Sequence, residues 1–298
     1  MSGLKSRLGD ASVLLAAAMW GCIGLFTRAM QAAGFTTVQT VAVRAIITFL
    51  LTAVIILIVN PKLFKINPRD LWMFFGTGIL SFLFFNVCYM SSISENSLSV
   101  ACILLYTAPI WVASLSIPLF KEKMTSQKTI AFVLAFGGCI MICCSNTLKL
   151  TKIGLVFGLC SGLGYALYSI FGKYAAAKYN SLTITFYTFL FGSLGALPLC
   201  DVPNLLPLVS NFKGALLSVG VAMVCTVLPY LLYTYGLSKT GASKASVIAV
   251  FEPAVASTVG VLFFDESLGV LGFGGLILVM AGLIYLEIGK PFKLHKTH

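Results

Sequence analysis

The chain has 298 residues, of which 59% are hydrophobic and 10% charged, with a mean hydropathy of +0.99. A water-soluble surface needs about 25% charged residues, so a soluble enzyme, a nucleic-acid binder and a disordered protein are excluded despite a formal net charge of +11. The nine cysteines are scattered through apolar runs with no Cys-x-x-Cys pair and read as small buried hydrophobes.

A bilayer core is crossed by about 20 mostly apolar residues. Cutting the chain where charge, Pro, Asn or Gly cluster predicts ten spans, at 11–31, 36–59, 71–93, 97–119, 127–146, 154–174, 183–200, 213–236, 243–264 and 270–288. Continuous apolar runs of this length are helices, not the short alternating segments of a barrel. The connectors are short and leave no room for an extramembrane domain. Span 1 carries Arg28 at its far end, is followed by no Ala-x-Ala site, and reads as a retained helix and not a signal peptide. With the N-terminus inside, fifteen of the twenty Lys and Arg fall in inner segments and four (Arg28, Lys149, Lys152 and Lys213) in outer ones, Arg44 lying within span 2. That bias predicts both termini in the cytoplasm and explains the basic charge as topology.

The two halves repeat. Pro109 is followed thirteen residues later by Glu122, and Pro253 thirteen later by Glu266, an offset of 144 between the copies. The same offset places Tyr89 on Tyr233, Ala101 on Ala245 and Gly138 on Gly282, while an offset of 145 places Trp20-Gly21 on Tyr165-Ala166 and Arg28 on Lys173. The expected units are 1–148 and 149–298. Each holds five spans, so the second copy enters the membrane from the opposite side. Two inverted halves about a central site provide the two states that alternating access requires.

Several motifs then fall into order: Ala18-Met19-Trp20-Gly21 in span 1, Val43-Arg44-Ala45 in span 2 and Tyr106-Thr107-Ala108-Pro109 with its Lys121-Glu122 exit in span 4. Gly137-Gly138-x-x-Met141-Ile142 in span 5 and Phe251-Glu252-Pro253-Ala254 in span 9 complete the set. Taken together the whole chain resembles the drug/metabolite transporter superfamily, EamA type. The resemblance implies an all-α membrane protein, ten transmembrane helices as two inverted five-helix repeats around a central cavity, with spans 5 and 10 peripheral. It also implies secondary transport of small metabolites such as amino acids. The second half departs from the first in having Tyr165-Ala166 where the first has Trp20-Gly21.

Glu252 is the most informative single residue. It lies about eight residues into span 9, where an ionisable group costs roughly 3 kcal/mol unless it faces protein or water. Pro253 removes the amide that would bond the carbonyl of Ala249 and is expected to kink the helix beside it, and Pro109 does the same at the equivalent place. Glu252, Pro253 and Pro109 are therefore candidates for coupling or gating, with a proton as the candidate coupling ion. The alternative is a carboxylate bonded to a neighbouring helix end that only holds the kink.

Arg44 lies about 12 Å into span 2 by helical rise. Three fates are open to it: pairing with Glu252, meeting a substrate carboxylate, or snorkelling to the outer interface. Asn86, opposite Tyr230 in the repeat, is a second polar group confined to one half. Trp20, Tyr89, Tyr106, Tyr165, Tyr230, Tyr233 and Phe251, with Trp111 and Tyr168, sit towards the middle of spans and not in the interfacial belt. They predict a polar cavity lined by rings with hydroxyl handles, the bland alternative being core packing. Gly154, Gly158 and Gly162, one turn apart, read as a packing seam, as do Gly137-Gly138 and Gly274-Gly275.

His295 and His298 are the only histidines and lie in the tail, which leaves no histidine metal site in the membrane and predicts no cofactor. There is no P-loop, so a gradient must supply the energy. The expected partners are a small-molecule substrate and the lipid bilayer, in a monomer or homodimer. The leading expectation is an exporter of amino acids or related metabolites in a bacterial cytoplasmic membrane. An importer or facilitator of a solute such as a quaternary amine is the alternative within transport, and a receptor or scaffold the alternative outside it.

Overall fold

Apolar length places ten helices long enough to cross a bilayer in the computed structural model, which describes residues 2–144, 151–264 and 269–288. They are Arg7–Ala32, Thr37–Val59, Pro68–Glu95, Val100–Phe120, Ser126–Cys143, Lys152–Ala176, Ser181–Leu199, Phe212–Thr240, Ala242–Phe264 and Gly269–Leu286, spans 1 to 10 in order. No strand occurs among the described residues. Caps set several ends. Thr36 accepts from the Gln39 amide while the Gln39 side chain accepts from the Thr36 amide, a capping box that opens span 2. The connector between spans 7 and 8 holds one further helix, Val202–Ser210, which hydropathy did not predict. Lys149, Glu266, Lys290, Lys293, Lys296 and both histidines lie outside the described residues.

Proline does more than kink spans 4 and 9. Span 4 consists of Leu98–Leu105 and Ala108–Phe120 and span 9 of Ala242–Ala249 and Glu252–Phe264, with two non-helical residues between the pieces of each. All four boundaries recur at the offset of 144. Pro109 and Pro253 sit in the first turn of the second piece, where a missing amide costs no helical bond. Spans 3 and 8 correspond in another way, since each contains a π-helical stretch, Gly76–Leu83 and Met223–Val227. The two stretches end at equivalent residues.

Helices in lipid gain little from hydrophobicity against one another and associate through close packing. Here the closest packing runs between the halves. Span 1 packs on spans 8 and 9, span 6 on spans 3 and 4, span 2 on span 7, and span 5 on span 10. Glycines make the approach possible. A Cβ on Gly9 would lie 2.7 Å from Thr240 Oγ1, and one on Gly154 would strike the side chain of Asn96, which is the repeat equivalent of Thr240. Between spans 5 and 10, a Cβ on Gly138 would lie 2.5 Å from the Gly275 oxygen, and one on Gly282 would lie 2.8 Å from the Ala131 oxygen. As residue numbers fall along span 5 they rise along span 10, so these two equivalent helices run antiparallel.

The polar groups gather at the end of the bundle where span 1 begins, the near rim. Asp10 Oδ2 pairs with Lys244 Nζ at 2.7 Å and its Oδ1 accepts from Thr240. Asp70 pairs with Lys178 at 2.7 Å and accepts from the Tyr179 hydroxyl. Glu122, just beyond span 4, pairs with Lys173 of span 6. The same carboxylate accepts from the amides of Ala242 and Ser243, which open span 9.

Candidate functional site

The break in span 9 leaves Glu252 as the first residue of a new helix, half-buried in the middle of the bundle, where the helix dipole favours a carboxylate. Tyr165 of span 6 donates its hydroxyl to Oε2 at 3.3 Å, and Tyr106, at the break of span 4, lies close to the same carboxyl. Both broken helices and span 6 therefore meet at one acid. Span 1 is tight against it, because a Cβ on Gly21 would lie 2.8 Å from the Glu252 carbonyl oxygen and 2.6 Å from Val255 Cβ. That contact explains the glycine after Trp20.

Arg44 is buried, at 8% exposure, so it does not snorkel to the interface. Its Nε donates to Thr226 Oγ1 at 3.2 Å, within the π-helical stretch of span 8. It makes no ion pair with Glu252, although the two are close enough to attract. Neither Nη atom bonds another described residue, and neither is among the fully enclosed unpartnered atoms, which are Thr48 Oγ1, Ser116 Oγ and Ser218 Oγ. Among the described residues, Arg44 thus spends only its Nε on the protein.

Trp20 organises the rings. It meets Tyr230 edge-on at 5.4 Å, Tyr165 edge-on at 6.3 Å and Tyr233 at a tilt at 5.3 Å. Tyr168 lies behind, perpendicular to Tyr230 at 4.9 Å. Two of the hydroxyls are already spent: Tyr233 on Ser169 at 2.7 Å and Tyr168 on Thr234 at 2.8 Å. These two rings form the packed near side of the cluster. Tyr230 lies beside Arg44 with its hydroxyl unbonded to any described residue.

The other predicted residues divide. Tyr89 bonds Cys102 Sγ at 3.0 Å and stacks on Phe85, whose ring meets Tyr165 edge-on at 5.5 Å, so Tyr89 joins the cluster at second hand. Asn86 spends its amide on the Phe82 carbonyl one turn back and keeps its oxygen. Phe251 does not join the rings: it lines an open groove of about 340 Å³ between spans 9 and 10, with Val255, Leu276 and Met280. Thr226, Phe85 and Ser169 were invisible to sequence reasoning, since hydroxyl and phenyl groups are common in spans and carry no local signal.

The near-rim clasp was also missed, Glu122 having been read only as a mark of the repeat. Burial alone would raise its carboxyl, but the Lys173 ammonium and the donors of Ser243 and Ala242 outweigh burial and push it down to about 2. A carboxyl depressed in the folded state stabilises fully above its unfolded value of 4.5 and loses that contribution as pH falls towards 2. The melting temperatures of the wild type and Glu122→Gln are therefore expected to differ at pH 7 and to converge below pH 3. Equal temperatures at pH 7 would show the clasp to be idle.

The model of the EamA-like transporter family matches residues 7–144 and again residues 152–287. The chain belongs to the EamA-like transporter family. Among its relatives, two proteins of Archaeoglobus fulgidus are described as uncharacterized transporters. One is 28% identical over 93% of this chain and 96% of its own length, the other 30% identical over 76% and 80%. The uncharacterized transporter YwfM of Bacillus subtilis is 24% identical over 95% of each chain. A crystal structure superposes with a TM-score of 0.79 at 13% identity, covering 93% of this chain and 95% of that one, a likeness of fold. The EamA-like chain is thus a multi-pass membrane protein of a transporter family, with ten apolar helices among its described residues.

Proposed function

We propose that the protein is a secondary transporter that exports amino acids or closely related metabolites by alternating access, in exchange for protons, from a bacterial cytoplasm bounded by its near rim. The observation that carries this reading is the placing of one base and one acid, Arg44 and Glu252, in the same ring-lined centre without an ion pair between them. A zwitterion offers a carboxylate to the guanidinium and an ammonium to the carboxylate, while its side chain meets Trp20, Tyr165 and Tyr230. The planar fork of Arg44 suits the first contact and the ring faces the last. Inverted repeats are supported by the shared offset of the helix breaks and by the antiparallel packing of spans 5 and 10.

A second reading is favoured by the same rings. Trp20, Tyr165 and Tyr230 around one carboxylate also suit an organic cation such as a quaternary amine, carried downhill in either direction.

A thermal-shift screen of the purified protein separates the two, because a ligand of the folded state raises the melting temperature by mass action. Under the zwitterion reading, amino acids stabilise the protein and Arg44→Ala weakens them about 10- to 100-fold, the usual cost of losing a charged hydrogen-bond partner. Stabilisation by quaternary amines alone, unchanged in Arg44→Ala, would sink that reading.

A further inference from the structure

Glu122 stands well away from the ring cluster, yet it bonds three elements at once. Its carboxylate takes Lys173 Nζ from span 6 and the amides of Ala242 and Ser243 at the start of span 9, while its own backbone ends span 4. The piece of span 9 that it holds, Ala242–Ala249, is buried except at Lys244 and packs against spans 1, 4, 5, 6 and 8. Its Ala245, Ile248 and Ala249 share one core with Trp20, Tyr230 and Tyr233. This short helix therefore closes the near side of the candidate site.

Both ends of the helix are jointed. At one end, Gly241 has φ +92° and ψ 156°, a conformation that is essentially confined to glycine. A Cβ there would also lie 3.0 Å from Glu122 Oε1. At the other end, Val250 and Phe251 interrupt the span and Pro253 prevents the two pieces from joining. An eight-residue rod between two joints, fastened at one end by the carboxylate of Glu122 and, through Lys244, by that of Asp10, has the construction of a bolt.

We infer that Glu122 is the latch of an inner gate: while it holds Lys173 and the start of Ala242–Ala249 the near side is shut, and release of those bonds lets that helix swing and opens the site to that side. The inference rests on the alternating-access reading above and gives it a moving part. Protonation is not the trigger, because the carboxyl stays charged down to about pH 2 among Lys173, Lys128, Lys244 and Asp10. Release would then come from movement of spans 4 and 6, since the break of span 4 lies close to Glu252 and the Tyr165 hydroxyl of span 6 bonds it. Lys173 also lies 4.3 Å from the centre of the Phe120 ring, at the last residue of span 4, so those two spans are linked beside the latch as well.

The test is the rate at which a membrane-impermeant maleimide modifies an S246C reporter in the full-length protein, read peptide by peptide by mass spectrometry. Ser246 is 4% exposed and lies on the gate helix between the latch and the break. E122Q and K173M are each expected to raise modification of the reporter about tenfold, as loss of a charge-assisted bond shifts the population towards the open state. Cys139, fully buried on span 5 in one core with Tyr106 and Val250, sits at the pivot of the swing and not at the latched end, and is expected to stay unreactive. An unchanged reporter overturns the latch, and so does a parallel rise at Cys139, which would mean loosening of the whole bundle. No substrate is needed, so a failed ligand screen leaves this outcome intact, and an unchanged reporter in a protein that binds amino acids removes the latch alone.

Discussion

Glu252→Gln is expected to reduce uptake driven by a pH gradient in proteoliposomes about 100-fold while leaving the protein folded and still able to bind its substrate, more weakly, because the amide oxygen accepts from the substrate ammonium without a charge. The amide has the shape of the carboxylate and still accepts a hydrogen bond from Tyr165, so the meeting of spans 4, 6 and 9 survives. It cannot take up or release a proton, and coupling needs that change of charge. A factor of 100 in rate corresponds to about 2.7 kcal/mol. Downhill flux of a labelled amino acid through the variant, equal to that of the wild type and insensitive to pH in both, would favour a facilitator and remove the coupling role.

Gly138→Val is expected to lower stability clearly, with Gly137→Ala as its neutral neighbour. At Gly138 the new Cβ meets backbone, the Gly275 oxygen at 2.5 Å and the Val279 nitrogen at 2.8 Å, so spans 5 and 10 must separate to admit it. Overpacking of this kind costs about 1–3 kcal/mol, or roughly 5 °C in melting temperature for a chain of this size. At Gly137 a Cβ finds only Leu278 Cδ2, at 3.6 Å, which is ordinary contact. Parallel melting curves of the two variants in one detergent check the contrast. Equal temperatures would mean that the glycine contact contributes nothing.

Much of this molecule is legible in its sequence because the bilayer leaves few alternatives. Apolar length alone gave ten spans close to those observed, and the offset of 144 anticipated that whatever Pro253 does to span 9, Pro109 does to span 4. Expecting a kink where there is a full break was a matter of degree: proline removes one bond, but the size of the opening depends on what fills it, here Tyr106 and Glu252. The ring cluster was legible as a set of residue types and only partly as a set of neighbours. Phe251 is next to Glu252 in sequence, yet it lies in the non-helical break and its ring lines the groove beside span 10. Arg44 left three fates open because its partner, Thr226, is 182 residues away on a stretch of π-helix that hydropathy cannot see.

That distance has a consequence for how the protein is made. The early spans find their main neighbours in the second half: span 1 awaits spans 8 and 9, span 2 awaits span 7, spans 3 and 4 await span 6, and span 5 awaits span 10. At about 5–20 residues per second of synthesis, the guanidinium of Arg44 enters the membrane roughly 10–40 seconds before Thr226 exists to receive it. During that interval the nascent chain carries Arg44 without Thr226 and the glycine faces of spans 1 and 5 without the helices that pack on them. Quality control in the membrane, more than the finished bundle, is where substitutions in the first half should first be felt.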